Sequence, residues 1–175
     1  MTWNRISSRP AAVRFAALQW HPMPPRLRPC VPTDVPALFR IDQACFARGI
    51  AYSRSVLRWF LSLPRAVCLV AEVDEAVAGF ILASSEADKA HLITLDVLAP
   101  YRRQGLGTLL LDAVETALAA RGVRAVELET ATNNQAAIAF WQKHGYRTLG
   151  VLPRYYLGRI DAYSMRKPLS APRET

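Results

Sequence analysis

Cysteine and histidine are scarce in this chain, with three of each among 175 residues. The cysteines, Cys30, Cys45 and Cys68, are odd in number and lack C-x-x-C spacing, which argues against a disulfide framework and a zinc site. No dense histidine or cysteine cluster offers metal ligands, so no metal is predicted. Because reduced thiols are typical of the cytoplasm, the sequence predicts a cytoplasmic location.

Long apolar runs are also absent. None approaches the roughly 18 residues that a membrane-spanning helix requires. The first twenty residues, MTWNRISSRPAAVRFAALQW, are basic, and Arg14 interrupts their apolar patch. A small-residue cleavage site does not follow, so these residues do not predict a secretory signal. The sequence therefore predicts neither a membrane partner nor secretion.

Acidic residues are nearly missing from the first third. Residues 1–65 contain ten arginines and two acids, whereas residues 66–175 contain twelve basic and twelve acidic residues, so the first third carries the whole net charge of +8. Such a segment can attract nucleic acid, acidic peptides or cofactor phosphates, or form a plain solvated face. No RNA-module aromatic motif or DNA-reading helix is found, so nucleic acid is not predicted as the primary ligand.

The most informative stretch joins a strand, a glycine-rich turn and a helix. His91–Val97 (HLITLDV) is apolar and β-branched, which predicts a buried strand. The turn RRQGLG, residues 102–107, leads directly into a helical pattern. Unpaired amides at such a turn form an anion site, and glycine lets a phosphate approach the backbone. The predicted apolar stripe of the helix comprises Leu106, Leu109, Leu110, Ala113, Val114, Ala117 and Leu118.

Two common nucleotide-binding loops are excluded at this turn. Its spacing is neither G-x-G-x-x-G nor G-x-x-x-x-G-K-[ST], so neither a dinucleotide fold nor a Walker loop is supported. A simpler interpretation also stays open, in which the glycines only permit the start of the helix and the arginines are solvated.

The order of the predicted elements is β-α-α-β-β-β-α-β-α-β-β. This order predicts an α/β (α+β) layered domain, with a mixed, mostly antiparallel sheet and helices on both faces. We predict one domain over residues 26–169, a flexible extension over 1–25 and a tail over 170–175. A basic-aromatic loop, residues 153–159, is predicted between the last two strands.

Three ordered motifs resemble the GNAT superfamily of acyl-CoA-dependent N-acetyltransferases. Arg102, Gly105 and Gly107 match the (Q/R)-x-x-G-x-(G/A) signature. The second motif is N-x-x-A-I followed by G-[FY], and the third is Y-Y…D-A…M. They are matched by Asn134, Ala137, Ile138, Gly145 and Tyr146, and by Tyr155, Tyr156, Asp161, Ala162 and Met165. From about Leu27 to Leu169 the chain is similar to the ribosomal-protein alanine N-acetyltransferase branch.

The resemblance implies acetyl-CoA as co-substrate. In the superfamily the turn amides hold the pyrophosphate, the preceding strand binds the pantetheine arm, and the asparagine contacts the coenzyme. The residues that this implies for the coenzyme are Leu95, Asp96, Val97, Arg102, Arg103, Gln104, Gly105, Leu106, Gly107, Thr108, Asn134, Ala137 and Trp141. Tyr155 and Tyr156 are implied to hold the acceptor.

A carboxylate is the expected general base. Glu129 lies five residues before Asn134, where the family carries its catalytic glutamate, although Glu127 and Glu129 also fit an ordinary polar strand face. His91 is a weaker candidate for the base, since a lone histidine is more often structural or exposed.

The expected general acid is missing from its family position. Trp141 stands where the family usually has a tyrosine, seven residues after Asn134. An indole donates a hydrogen bond but does not release its proton. Three interpretations follow: Tyr155, Tyr156 or Tyr163 replaces the acid, with Tyr156 chosen as the catalytic tyrosine; the thiolate leaves unassisted; or the domain binds acyl-CoA without turning it over. Trp141 also fits core packing.

The predicted function is direct acetyl transfer from acetyl-CoA to a primary amine, foremost a protein N-terminal α-amine. Acetylation of a lysine, polyamine or antibiotic amine is the first alternative. A non-catalytic acyl-CoA-binding or acidic-partner adaptor module is the second. The expected assembly is a monomer or a homodimer.

Overall fold

The computed structural model describes residues 24–170, so nearly all of the predicted extension 1–25 and tail 170–175 lies outside the described residues. The helices are α1 (Val35–Cys45), α2 (Arg54–Leu61), α3 (Leu106–Ala119) and α4 (Gln135–Lys143). The strands are β1 (Arg26–Pro29), β2 (Ala66–Val73), β3 (Ala76–Glu86), β4 (Lys89–Val97), β5 (Ala125–Ala131), β6 (Arg147–Tyr156) and β7 (Ile160–Pro168). Between residues 24 and 170, no helix is long and apolar enough to cross a membrane.

The seven strands form one sheet in the order β1-β2-β3-β4-β5-β7-β6. Every neighbouring pair is antiparallel except β4 and β5, which are parallel. The crossover between these two strands contains α3, as a parallel connection requires. The prediction of a mixed, mostly antiparallel sheet is therefore confirmed.

Helices cover both faces of the sheet and build two cores. On the α3 face, α3 and α4 pack against Ile81, Val126 and Met165. On the α1 face, α1 and α2 pack against Val70, Phe80 and Leu82, which lie on β2 and β3. Alternation along β3 sends neighbouring residues to opposite cores. The predicted placement of helices on both faces is confirmed.

The predicted stripe of α3 is confirmed at Leu106, Leu110, Val114 and Leu118, which are buried, and is wrong at Leu109. Leu109 is 43% exposed, whereas Leu111, which the stripe omitted, is completely buried. The buried face centres on Leu110, Leu111, Val114 and Leu118 because the helix lies across several strands, so its apolar arc is wider than one i, i+3, i+4 row.

The predicted basic-aromatic loop over residues 153–159 is mostly strand. β6 continues to Tyr156, and the turn to β7 contains only residues 157–159. The β6–β7 ladder is irregular between Leu152 and Tyr156, which explains why periodicity alone suggested a loop. Tyr155 and Tyr156 consequently lie on a strand that is paired with β7.

The central parallel pair separates soon after it forms. β4 and β5 are paired only over Lys89–His91 and Ala125–Glu127, although β4 continues to Val97 and β5 to Ala131. The register between β3 and β4 shifts where Ala83 faces Leu92 and Leu82 faces Thr94, so Ile93 is the extra residue of a bulge in β4. A bulge bends its strand, which accounts for the gap that opens between β4 and β5.

A polar contact that the sequence did not predict joins α3 to β7. Glu115 is 9% exposed; its Oε1 accepts a hydrogen bond from the hydroxyl of Tyr146 at 2.9 Å, and its Oε2 pairs with Nζ of Lys167. Burial together with the Glu115 carboxylate raises the pKa of Tyr146 well above its usual range, so this hydroxyl remains a donor. Glu115 therefore satisfies two donors at the edge of the α3-face core.

We expect Glu115→Ala to lower the free energy of unfolding by about 2–4 kcal/mol, because the Tyr146 hydroxyl and the Lys167 ammonium lose a shared, mostly buried acceptor. Urea titration measures this change. Asp112→Ala, an exposed site on the same helix, is the control and should change stability by no more than about 0.5 kcal/mol. Equal stability of the two variants would contradict a stabilising role for this contact.

Candidate active site

The gap between β4 and β5 exposes a strand edge next to the start of α3. Leu95 and Val97 direct their side chains to the α3-face core, and Asp96 lies on the opposite face. Gly105 precedes α3 with φ 86°, a conformation that glycine adopts without strain. α3 begins without a side-chain cap, and its first backbone acceptor, the Gly105 carbonyl, is used by Leu109. The amides of Leu106, Gly107 and Thr108 therefore have no partner inside the helix, and unpaired amides at a helix N-terminus are the groups that bind anions.

The side chains of the turn contribute unequally to this anion site. Arg102 turns away from the amides, since its Nε donates to the carbonyl of Val97 at 2.7 Å. The side chain of Gln104 donates to the Pro100 carbonyl at 2.7 Å. Arg103 is exposed with φ 63°, and its guanidinium forms no hydrogen bond or ion pair with residues 24–170. Of the two predicted arginines, Arg103 is the one that is free to meet a phosphate.

α4 brings its predicted residues close to α3. The side chain of Asn134 caps α4 by accepting a hydrogen bond from the amide of Ala137 at 3.1 Å. Thr108 of α3 and His144 beyond α4 are joined by a hydrogen bond between Oγ1 and Nε2 of 3.0 Å. Trp141 is 8% exposed and stacks edge-to-face on Tyr146 at 5.4 Å, so the structure places it in the core. Core packing explains this tryptophan without any coenzyme contact.

Glu129 lies at the centre of a polar cluster on the α1 face. Its Oε2 is 3.1 Å from Nε2 of His91, and the hydroxyl of Tyr155 donates to the same oxygen at 3.4 Å. The hydroxyl of Tyr156 donates to the backbone carbonyl of Glu129 at 3.2 Å. The Glu129 side chain is only 17% exposed, whereas that of His91 is 48% exposed. The predicted base, its weaker rival and both predicted tyrosines therefore meet at one point.

The environment of the cluster changes the acidity of its members. The hydrogen bond to Glu129 raises the pKa of His91 above its ordinary value of 6.5. Burial raises the pKa values of Tyr155 and Tyr156, with the Glu129 carboxylate adding to the effect. Both phenols therefore keep their protons at neutral pH, and His91 holds its proton more strongly than a free imidazole does.

The segment between α1 and α2 closes over the same cluster. Burial raises the pKa of Tyr52 to about 12, and the negative charge of Glu129 contributes to the shift. A Cβ built on Gly49 would come within 2.9 Å of Cδ2 of Leu157, so this segment touches the β6–β7 turn. The cluster around Glu129 is thus bordered by two loops on the α1 face, opposite to α3.

Two buried carboxyl groups lie beside this region; the sequence predicted a coenzyme contact for Asp96 and no role for Asp42. Asp96 is 1% exposed; it accepts a hydrogen bond from Thr94 at 2.6 Å, and burial raises its pKa to about 7. Asp42 is fully buried and accepts the amide of Tyr52 at 2.7 Å, with its pKa raised by burial to about 6. Asp42 holds the segment that precedes α2. Nothing in the local sequence pattern distinguishes either carboxyl from a surface acid.

The arrangement can bring together two ligands from opposite sides of the sheet. Unpaired helix amides and a free strand edge lie on the α3 side, which suits an anionic ligand with a long arm. A carboxylate, an imidazole and two phenols lie on the α1 side, which suits removal of a proton from a second ligand. The gap between β4 and β5 connects the two sides.

Comparison with known proteins agrees with this geometry. The model of the acetyltransferase (GNAT) family matches residues 35–146. An N-alpha-acetyltransferase of Sulfurisphaera tokodaii is 32% identical, over 82% of this chain and 93% of its own length. The [ribosomal protein bS18]-alanine N-acetyltransferase of Salmonella typhimurium is 32% identical, over 79% of this chain and 93% of its own. The crystal structure of the ribosomal-protein-S18-alanine N-acetyltransferase from Escherichia coli superposes with a TM-score of 0.77 at 29% identity, covering 86% of this chain and 97% of that one.

We expect NMR titration to place the pKa of His91 above 6.5, and Glu129→Gln to return it towards 6.5, because the main cause of the shift is the hydrogen bond to Glu129. The stabilisation from this pair should be complete below about pH 6.5 and disappear as the pH rises through the raised pKa of His91. An unchanged His91 titration in Glu129→Gln would contradict the contact.

Proposed function

The chain belongs to the acetyltransferase (GNAT) family, and from that premise we propose that it transfers an acetyl group from acetyl-CoA to the α-amine of a protein N-terminus. The transfer is direct, without an acyl-enzyme. The observation that carries the proposal is the position of Glu129, half enclosed by His91, Tyr155 and Tyr156 where β4 and β5 separate. The names of the relatives, N-alpha-acetyltransferase and bS18-alanine N-acetyltransferase, support an N-terminal acceptor.

Acetyl-CoA supplies the acetyl group as an activated thioester. In the proposal the amides of Leu106, Gly107 and Thr108 and the side chain of Arg103 hold its pyrophosphate. The edge of β4 at Leu95, Asp96 and Val97 offers backbone groups to its pantetheine arm, which would extend a strand that has lost its partner. Arg102, Gln104, Gly105, Asn134, Ala137 and Trp141 shape the site, chiefly through turn geometry, the α4 cap and packing.

The acceptor approaches from the α1 side in the proposal. A peptide α-amine has a pKa of about 8, so it needs only a weak base to lose its proton at neutral pH. Glu129 accepts this proton on Oε2 and passes it to Nε2 of a neutral His91, and the half-exposed imidazole then gives its Nδ1 proton to water. The raised pKa of His91 means that this imidazole accepts protons readily close to neutral pH.

Tyr155 and Tyr156 have complementary parts in the proposal. Tyr155 is half exposed and borders the acceptor site, where its ring contacts the arriving peptide. Tyr156 keeps its proton because burial raises its pKa, so its hydroxyl can leave the Glu129 carbonyl and donate its hydrogen bond to the departing sulfur instead. Tyr163 lies on the α3 face and is the competing donor. Because Trp141 is buried in the core, the donor to the departing sulfur in the proposal is a tyrosine.

We also propose that the protein acts in the cytoplasm and that it is a monomer or a homodimer. Cys30, Cys45 and Cys68 are all free thiols, which agrees with a reducing compartment. Acetyl-CoA and a protein N-terminus are the proposed partners, without nucleic acid or a membrane.

We expect Glu129→Gln to lower kcat about hundredfold on an alanine-starting peptide, because a carboxylate general base contributes roughly 10²–10⁴-fold. Thiol release measures turnover, and calorimetry should give an unchanged acetyl-CoA affinity. Glu127→Gln is the matched control, on the same strand and face, and should stay within about twofold of wild type. If Glu129→Gln has the same kcat as wild type, Glu129 is not the general base, and His91 or water has that role.

We expect Gly107→Glu to weaken acetyl-CoA binding at least about tenfold, because a carboxylate would occupy the amides proposed for the pyrophosphate. Gly107→Ala is its control. A Cβ at this position meets the ring of Phe140 at 3.5 Å, an ordinary contact, so alanine should bind acetyl-CoA normally. Calorimetry measures the acetyl-CoA affinity of both variants, and circular dichroism verifies that they fold. Wild-type affinity in Gly107→Glu would contradict the assignment of the pyrophosphate to this turn.

A further inference from the structure

A basic concavity lies at the end of the sheet where β4 and β5 begin. It has a volume of about 470 Å³, and the residues that line it include Lys89, Arg124, Arg147 and Arg166. Asp88 is the single acid in its lining, and Leu149 and Pro168 form an apolar wall. We call this site the basic cavity. Neither the acetyl-CoA site nor the Glu129 cluster includes any of these residues.

Two of the positive charges of the basic cavity lie close enough to repel each other and so to destabilise the sheet. Arg147 and Arg166 are directly opposite each other in the antiparallel ladder of β6 and β7. Like charges in this relation destabilise a sheet. Arg166 approaches Oε1 of Glu127 at 3.5 Å, but in the described part of the chain no ion pair is formed by Lys89, Arg124 or Arg147. A bound anion would relieve this repulsion.

The basic cavity and Glu129 share one face of the sheet. Glu127 is opposite Arg166 on β7, and Arg166 is opposite Arg147 on β6, so these three side chains share a face. Glu129 follows Glu127 by two residues and has the same orientation. α1 and α2 cover β2, β3 and the neighbouring part of β4, and the core beneath them contains no residue of β5, β6 or β7. Between Glu129 and the basic cavity, the side chains of Glu127 and Arg166 are 34% and 41% exposed.

The distance along this surface fits an extended peptide. The basic cavity begins beside Ala125, four residues before Glu129 on β5, which corresponds to roughly 13 Å. An extended peptide advances about 3.3–3.6 Å per residue, so a chain with its α-amine at Glu129 would place about its fourth to sixth residues there. Glu127 stands between the two points and disfavours acidic residues closer to the N-terminus.

We propose that the basic cavity is an acceptor subsite that binds aspartate and glutamate side chains at about the fourth to sixth residues of the N-terminus being acetylated. This inference rests on the proposed function and names its substrate class: N-termini with an acidic segment shortly after the first residues. The apolar wall of Leu149 and Pro168 suits a peptide better than a bare phosphate, since it packs against side-chain methylenes.

The test compares three peptides with the same first three residues. The first carries Asp-Glu-Asp at the fourth to sixth positions, the second carries Asn-Gln-Asn there, and the third carries the acidic triplet at its distal end. We expect wild type to prefer the first over the second by about tenfold in kcat/KM at low salt. The third should behave like the second, and high salt should reduce the preference.

Two charge reversals locate the effect. Arg147→Glu should reduce the ratio of the first two peptides to about one, and Arg147→Ala should lower it partially. Arg40→Glu makes the same change of charge at an exposed position of α1, away from the basic cavity, and should keep the wild-type ratio. Because a ratio is measured, a general loss of activity in one variant does not imitate the result.

The outcomes are separable. Equal turnover of the first two peptides by wild type overturns the acidic subsite and leaves the acetyltransferase proposal standing. A preference that survives Arg147→Glu also overturns it. If Arg147→Glu weakens binding of a single-stranded RNA oligonucleotide while the peptide ratio stays constant, the basic cavity binds nucleic acid and the inference is wrong. If none of the three peptides is acetylated, the proposed function is refuted, and the acidic subsite that rests on it is refuted as well.

Discussion

The early separation of β4 and β5 is the constraint on which the rest of the structure depends. A parallel pair that stayed in register to Val97 and Ala131 would satisfy its own backbone groups and close the sheet. Instead the ladder ends at His91 and Glu127, with the bulge at Ile93 close beyond it. The free edge of β4, the start of α3 and the Glu129 cluster all lie around the resulting gap. A local irregularity in one strand thus separates two neighbouring strands of an otherwise continuous sheet.

The two sides of the gap have different chemistry because different elements cover them. The α3 side presents backbone dipoles and Arg103, which has no ion-pair partner among residues 24–170, so this side suits a polyanion without needing a specific set of side chains. The α1 side presents titratable groups whose acidity is altered by burial and by one another. His91 and Glu129 come from the two separating strands, so the fold that opens the gap also sets their 3.1 Å contact. Direct transfer requires only that both sides be occupied together.

Much of this could be predicted from the sequence, because the informative signals are local. Alternation identified β5 and the orientation of Glu129, and glycine with helical periodicity located the start of α3. Register and burial were not predictable. Leu109 and Leu111 look equivalent in a helix pattern, and only the tertiary contact decides which is buried. Glu115, Asp42 and Asp96 resemble surface acids, since their burial depends on residues distant in sequence. Trp141 appeared as a departure from a catalytic pattern, and the structure explains it as core.

The central claim is that the protein acetylates the α-amine of a peptide rather than a side-chain or small-molecule amine. The most direct measurement is thiol release from acetyl-CoA with three acceptors: an alanine-starting peptide, the same peptide with a blocked N-terminus and a free lysine, and spermidine. Turnover of the free N-terminus alone is the predicted result, because an α-amine with a pKa of about 8 needs only the weak base that a carboxylate provides, whereas a lysine amine has a pKa of about 10.4. Equal or faster turnover of the blocked peptide or of spermidine would contradict the account and make a side-chain or small-molecule amine the acceptor.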